Sequence, residues 1–149
     1  MATTEKRMNR YGLLGKNISY SFSQGYFTQK FNDLGLMNHS YENFDLQKIE
    51  EVKNVLNQGD IRGLNVTIPY KQEIIPFLDE LDPKAKQIGA VNTIQFSKEG
   101  LIGFNTDAYG FQKSLEPYLK PHHAQALILG TGGASKAVQY VLNELGIKS

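Results

Sequence analysis

The chain has 149 residues, 40% of them hydrophobic and 21% charged, with no cysteine and a formal net charge of +1. That composition belongs to a globular protein of one domain, or one domain and part of another, and it excludes disulfides, thiolate metal sites and a cysteine nucleophile. The balanced charge gives no footprint for nucleic acid or an anionic membrane, no apolar run approaches the length of a membrane span, and MATTEKRMNRYGLLG lacks the apolar stretch of a secretory signal, so a cytoplasmic setting is expected.

Tyr11-Gly12-Leu13-Leu14-Gly15 reads as a first strand. From Ser23 onward Tyr26, Phe27, Phe31 and Leu34 recur at helical spacing, and Gly35 supplies the stop. Ser40 to Phe44 reads as a second strand, with Asp45 as the N-cap of a helix carrying Ile49, Val52, Val55 and Leu56. Gly63 to Ile68 alternates as a third strand with Asn65 and Thr67 on one face, and Pro69 ends its pairing. A helix is expected from about Gln72, and Asp82-Pro83 suits the N-cap and first position of another. Ala90 to Phe96 and Leu101 to Phe104 flank Lys98-Glu99-Gly100, a hairpin signal. Asp107 to Leu115 is helical and is stopped by Pro117 and Pro121. Ala126-Leu127-Ile128-Leu129 reads as a buried strand running through Gly130-Thr131-Gly132-Gly133 into a last helix.

Strand and helix alternate for most of the length, so the fold class is α/β, a mainly parallel sheet flanked by helices. The stretch 117–123 separates a first unit from the start of a second, which has one strand, one glycine-rich turn and one helix.

Polar residues gather where strands or turns end: Ser19, Ser21 and Ser23 before the first helix, Asn65 and Thr67 with Lys71 just beyond, Asn92-Thr93, and Asn105-Thr106-Asp107. In a parallel α/β sheet the carboxyl ends of the strands line the edge at which ligands bind. Each residue also has a plainer reading. Ser23 and Asp107 can cap helices, Asn92 and Asn105 can satisfy turn backbone, and Lys71 can be a solvated surface lysine. Their joint occurrence favours a site. His39, His122 and His123 are the only histidines and read as solvated, so no metal site is expected.

Gly130-Thr131-Gly132-Gly133-Ala134-Ser135 has the context of a dinucleotide-binding turn, after an apolar strand and at the opening of a helix. Gly130 permits the bend, Gly132 lets backbone approach a pyrophosphate, and the helix N-terminus favours its charge. Ser135 stands where a third glycine is usual. A plain glycine-rich strand-to-helix turn is the alternative.

Five motifs in order carry a resemblance: Ser-x-Ser after the first strand, Asn-Val-Thr-x-Pro-x-Lys at 65–71, Gly-Ala-Val-Asn-Thr at 89–93, Gly-x-Asn-Thr-Asp at 103–107 and Gly-x-Gly-Gly-Ala-Ser at 130–135. Together they resemble the shikimate dehydrogenase family over essentially the whole chain. The resemblance implies a catalytic domain at 1–106, a connecting helix and linker at 107–124, and the first β-α unit of an NADP-binding Rossmann domain at 125–149. It implies that Ser21 and Ser23 hold a substrate carboxylate, with Ser19 as a competing register. Asn65, Thr67, Asn92 and Asp107 would bind the ring, and Lys71 with Asp107 would carry the proton chemistry. Gly130, Thr131, Gly132, Gly133, Ala134 and Ser135 would meet NADP.

The implied activity is reversible NADP-dependent reduction of 3-dehydroshikimate to shikimate, a step toward aromatic amino acids, in a monomer or homodimer. The family's chains are longer, so the resemblance also implies a truncated piece, weak or inactive alone, whose 126–149 segment is loosely held or packs on something other than its usual sheet. A quinate-using or NAD-preferring relative, and a module that binds a hydroxylated cyclic carboxylate without chemistry, stay open.

Overall fold

The first strand, β1 (Asn9–Gly15), occupies the middle of one half of the sheet, between β2 (His39–Asp45) and β3 (Ile61–Val66), both parallel to it. In the computed structural model, which describes residues 8–149, four more elements complete the sheet and its flank. They are the short β4 (Glu80–Leu81), the hairpin β5 (Thr93–Phe96) and β6 (Leu101–Phe104), and the helix α3 (Pro83–Ile88) between β4 and β5. The sheet has six strands in the order β2-β1-β3-β5-β6-β4. Only β5 is reversed: it is antiparallel to β3 and to β6, whereas β4 and β6 are parallel. The expected α/β class holds, with a mixed sheet in which three of the five strand pairings are parallel.

Alternation along the strands sorts the core. On one face Leu14, Phe44, Leu64, Val66 and Ile94 pack with Val52, Val55, Tyr70 and Ile74. On the other, Leu13 and Tyr41 pack with Ile18 and with Phe27 and Phe31 of α1 (Ser23–Asp33). Asp82 N-caps α3 as its sequence predicts, accepting from the Lys84 N–H at 3.0 Å, with Pro83 in the first turn. The helix α4 spans Asp107–Leu115, the predicted bounds.

Three expectations are corrected. No α-helix starts at Gln72: the segment forms turns and one 3-10 turn at Ile75–Phe77, because Pro76 brings no N–H to a helical ladder and the chain must reach β4 at once. Asp45 does not cap a helix. It ends β2, and its carboxylate accepts from the backbone N–H groups of Asn17 (2.9 Å) and Ile18 (3.2 Å), tying down the loop after β1. The helix beyond it is a 3-10 turn, Ile49–Glu51, leading into α2 (Val52–Leu56).

The third correction concerns the last unit. Ala126–Leu129 is not a strand. A single bridge joins Gln125 to Lys148, and Leu127 and Leu129 are 84% and 87% exposed. Such a run needs neighbouring strands and cover on both faces, and among the described residues it has neither. The helix α5 (Gly133–Glu144) does form, and it is held: Ala137 and Val141 are buried with Ile88, Ala90 and Ala108, so α5 packs on α3 and α4 rather than on a sheet of its own.

Candidate active site

The reversal of β5 builds the site. Because β5 runs against its neighbours, its first residue lies beside the end of β3 (Thr93 opposite Asn65) and the end of β6 (Thr93 opposite Phe104). Asn92 enters the same edge through two backbone bonds, its N–H to Phe104 O (3.0 Å) and its carbonyl from Val66 N–H (2.7 Å). Three predicted segments, from β3, β5 and the β6–α4 junction, therefore meet at one corner.

Lys71 reaches that corner from the turns after β3. The Ile68–Pro69 peptide is cis, and the Lys71 carbonyl accepts from the Val91 N–H at 2.7 Å. Its Nζ donates to Asp107 Oδ2 at 2.6 Å, with side-chain exposures of 14% and 34%. Asp107 opens α4, where the N–H groups of the first turn favour a carboxylate. Its other oxygen accepts from Asn92 Nδ2 at 3.0 Å. Asn92, buried, is held on both sides: Nδ2 also donates to Thr106 Oγ1 (2.8 Å), and Oδ1 accepts from the Thr106 N–H (2.8 Å) and from the Thr93 hydroxyl (3.1 Å).

The string of bonds continues across the sheet. Asn65 Nδ2 points to Thr93 Oγ1 at 3.5 Å, and Asn65 Oδ1 accepts from the Tyr41 hydroxyl at 2.8 Å. Burial pushes the Tyr41 phenol above the ordinary tyrosine value, outweighing the lowering by the Ser23 hydroxyl that stands next to it. Ser21 donates to Ser23 Oγ at 3.1 Å and accepts from the Ser23 N–H at 3.2 Å. Ser19 lies exposed in the loop, so Ser21 and Ser23 are the serines beside the string. Thr67 stands beside it: half-buried at the strand end, it is tied through its N–H to Leu14 O at 2.9 Å.

Of the predicted residues, then, Asn65, Lys71, Asn92 and Asp107 are linked through Thr93, and Thr67 and the bonded pair Ser21 and Ser23 adjoin them. Asn105 has a structural task, donating to Ala90 O (2.9 Å) and accepting from the Ala108 N–H (3.2 Å). Tyr41 is the member the sequence reading missed. Only the register of three strands brings it diagonally across β1, level with Gly63 and two residues from Asn65, and no local motif marks it. A hollow of about 480 Å³ over β3 and β5 shares Tyr41, Asn65 and Thr93 with the string but reaches neither Lys71 nor Asp107.

The glycine-rich turn divides into two kinds of position. Gly130 has a φ of +134°, and a Cβ on Gly132 would meet nothing within 4 Å. Gly132 is the N-cap of α5 and brings no side chain to the first-turn N–H groups, so an anion can approach them. Thr131 and Ala134 are exposed, and Ser135 lines a cavity of about 370 Å³ with Gly130, Thr131 and Lys136. Gly133 differs. It is buried, and a Cβ there would stand 2.7 Å from Lys71 Cβ. What Gly133 accommodates is the lysine stem.

An α/β unit that gathers an ammonium, a carboxylate, amides and hydroxyls at its strand ends, and continues into a glycine-rich helix start, has the layout of a substrate-binding domain in an α/β dehydrogenase. Residues 13–94 match the family model for the shikimate dehydrogenase substrate binding domain, and the chain belongs to that family. It is 39% identical over 138 residues to the shikimate dehydrogenase (NADP(+)) of Pyrococcus furiosus, covering 91% of this chain and 50% of the relative. To that of Methanococcus vannielii it is 41% identical over 143 residues, with 91% and 50% covered. Among solved structures, shikimate dehydrogenase 1 of Peptoclostridium difficile superposes with a TM-score of 0.86 at 38% identity, over 95% of this chain and 53% of the other. The Thermus thermophilus enzyme, in complex with NADP(H) and shikimate, gives 0.81 at 37% identity over 94% and 54%. The chain spans about half the length of the curated relatives it matches.

Among the described residues no helix is long and apolar enough to cross a membrane.

Proposed function

We propose that this chain carries the ring-binding and proton-transfer part of an NADP-dependent shikimate dehydrogenase, interconverting 3-dehydroshikimate and shikimate. The observation that supports it most is the Lys71–Asp107 contact at 2.6 Å, at the end of a string of amides and hydroxyls. Reducing a ketone to a secondary alcohol requires a proton at the oxygen as the carbon–hydrogen bond forms, and the reverse direction requires its removal. Lys71 is the donor and acceptor at that oxygen. Asp107 holds the ammonium in place and offers an oxygen to a neighbouring ring hydroxyl. Asn65, Thr67 and Asn92 present amides and a hydroxyl to a polyhydroxylated ring, and Ser21 and Ser23 bind its carboxylate at the far end.

NADP supplies the hydride when bound. Gly130, Thr131, Gly132, Ala134 and Ser135 fit its pyrophosphate, since the turn leaves open space at Gly132 and first-turn N–H groups beyond it. On this reading residues 1–106 bind the ring, 107–124 connect, and 125–149 open the cofactor domain. That the relatives are shikimate dehydrogenases (NADP(+)) favours that cofactor over NAD.

The test is calorimetric titration of shikimate into the chain and into its Asp107→Asn variant. Saturable binding weakened about tenfold or more in the variant is expected, because a charge-assisted bond contributes roughly 1.5–3 kcal/mol. Absence of binding to the parent chain at millimolar shikimate, or equal affinity in both proteins, refutes the assignment.

A further inference from the structure

Tyr41 is buried, and its ring stacks on Phe27 with centroids 4.5 Å apart and planes 15° from parallel. Phenylalanine would fill that space equally well, so the hydroxyl requires its own explanation. The other fully buried tyrosine, Tyr70, spends its hydroxyl on a backbone carbonyl, Leu46 O at 2.7 Å. Tyr41 instead donates to a side-chain amide oxygen, that of Asn65 at 2.8 Å.

A primary amide has an acceptor end and a donor end of nearly equal size, and a half-turn exchanges them. Each orientation offers a ligand the opposite hydrogen-bonding character. With Oδ1 held by the phenol, Nδ2 is the end left over, and its contact with Thr93 Oγ1 is long at 3.5 Å. That bond is weak enough to yield to a better acceptor. Ser23, bonded to Ser21, stands next to the same phenol. One tyrosine thus lies between the serine pair and the strand-end amide that it holds.

We propose that Tyr41 is a positioning residue for the ring site: its hydroxyl fixes Asn65 with the amide NH2 toward the ligand. The proposal deepens the ring-binding reading and rests on it only for the identity of the ligand. Burial keeps the phenol protonated through neutral and mildly alkaline pH, so the donor persists wherever the protein works.

Tyr41→Phe keeps the stacked ring and deletes the hydroxyl, which makes it the discriminating variant. Two readouts are followed in the 149-residue chain: the nitrogen–proton resonances of the Asn65 side-chain amide, assigned by their loss in Asn65→Ala, and shikimate affinity by calorimetry. The expected result is a shifted, more freely rotating Asn65 amide and about a tenfold weaker Kd in an otherwise unchanged spectrum, the loss typical when a buried group is left unpaired. Unchanged Asn65 resonances overturn the proposal whatever happens to affinity. Equal shikimate affinity of parent and variant overturns it too. If the Asn65 amide responds but the parent chain binds no shikimate, the ligand reading fails and the anchoring of Asn65 by Tyr41 is supported. Should Tyr41→Phe not fold, the parent spectrum decides: a slowly exchanging Tyr41 hydroxyl proton with a cross-peak to Asn65 supports the proposal, and a fast-exchanging one overturns it.

Discussion

Replacing Gly133 with alanine adds one methyl group where α5 meets Lys71. The new Cβ would lie 2.7 Å from Lys71 Cβ, 3.3 Å from Lys71 Cδ and 3.4 Å from Ala90 Cβ. Carbon atoms in good contact sit about 3.5–4.0 Å apart, so roughly 1 Å of overlap must be absorbed. The lysine backbone cannot recede, because its carbonyl is bonded to the N–H of fully buried Val91. Either α5 lifts away from Ile88, Ala90 and Ala108, or the lysine stem swings and opens the 2.6 Å contact with Asp107. Overpacking of this kind costs about 1–3 kcal/mol. At about 2–4 °C per kcal/mol for a chain of this size, Tm should fall by roughly 2–12 °C. Helix propensity alone predicts the opposite sign, a gain of up to about 1 kcal/mol. Thermal denaturation therefore separates the two, with Gly132→Ala as the control: its Cβ meets nothing within 4 Å and its φ of −78° suits any residue, so only the loss of about 1 kcal/mol or less that alanine causes at an N-cap is expected. A Gly133→Ala protein as stable as its parent would refute the docking of α5 on the lysine.

Two further outcomes follow from the site. In a full-length enzyme that joins this domain to a complete cofactor domain, Lys71→Ala should lower kcat of dehydroshikimate-dependent NADPH oxidation by about 10²–10⁴-fold with a much smaller change in KM, and a raised KM at undiminished kcat would contradict a proton-transfer role. Burial raises Tyr41 above the ordinary tyrosine pKa of 10.0, so the unfolded chain ionises first as the solution becomes alkaline. The stability that Tyr41 contributes is intact below about pH 10 and is lost above it, at up to about 1.4 kcal/mol per pH unit. Urea unfolding at about pH 9 and about pH 11 should show a shallower loss for Tyr41→Phe than for the parent chain, and equal slopes would contradict the burial argument.

What the sequence made legible was local. Asp82-Pro83 starts α3 and Lys98-Glu99-Gly100 turns the hairpin because capping and turn chemistry act within a few residues. The motifs named Asn65, Lys71, Asn92 and Asp107, and the structure brings them together. What stayed hidden depends on distant pairing. Tyr41 acquires its partner only through the registers of β2 with β1 and of β1 with β3. Gly133 reads as a cofactor glycine in its motif and as a packing glycine in space, since its neighbour Lys71 is far away in the chain. Ala126–Leu129 has the composition of a buried strand, but composition does not provide a sheet to enter.

The direction of a single strand explains why these separated motifs meet. Were β5 parallel to β3, its first residue would stand at the opposite edge of the sheet, displaced by the four-residue strand length, about 13 Å at roughly 3.3 Å per residue. Asn92 would then reach neither Asp107 nor Thr106. Reversal places the start of β5 among the ends of β1, β3 and β6, so the edge that strand carboxyl ends already form gains an amide and a hydroxyl from a strand beginning. It also lets β5 turn directly into β6 through a tight hairpin, with Ser97 N–H bonded to Gly100 O at 3.0 Å, and β6 then delivers Asp107 at the first turn of α4. The carboxylate and the amide that holds it are thus supplied from the two ends of one hairpin, which ties the geometry of the Lys71–Asp107 pair to the pairing of β5 with β6 and makes that hairpin, more than any loop, the element on which the candidate site depends.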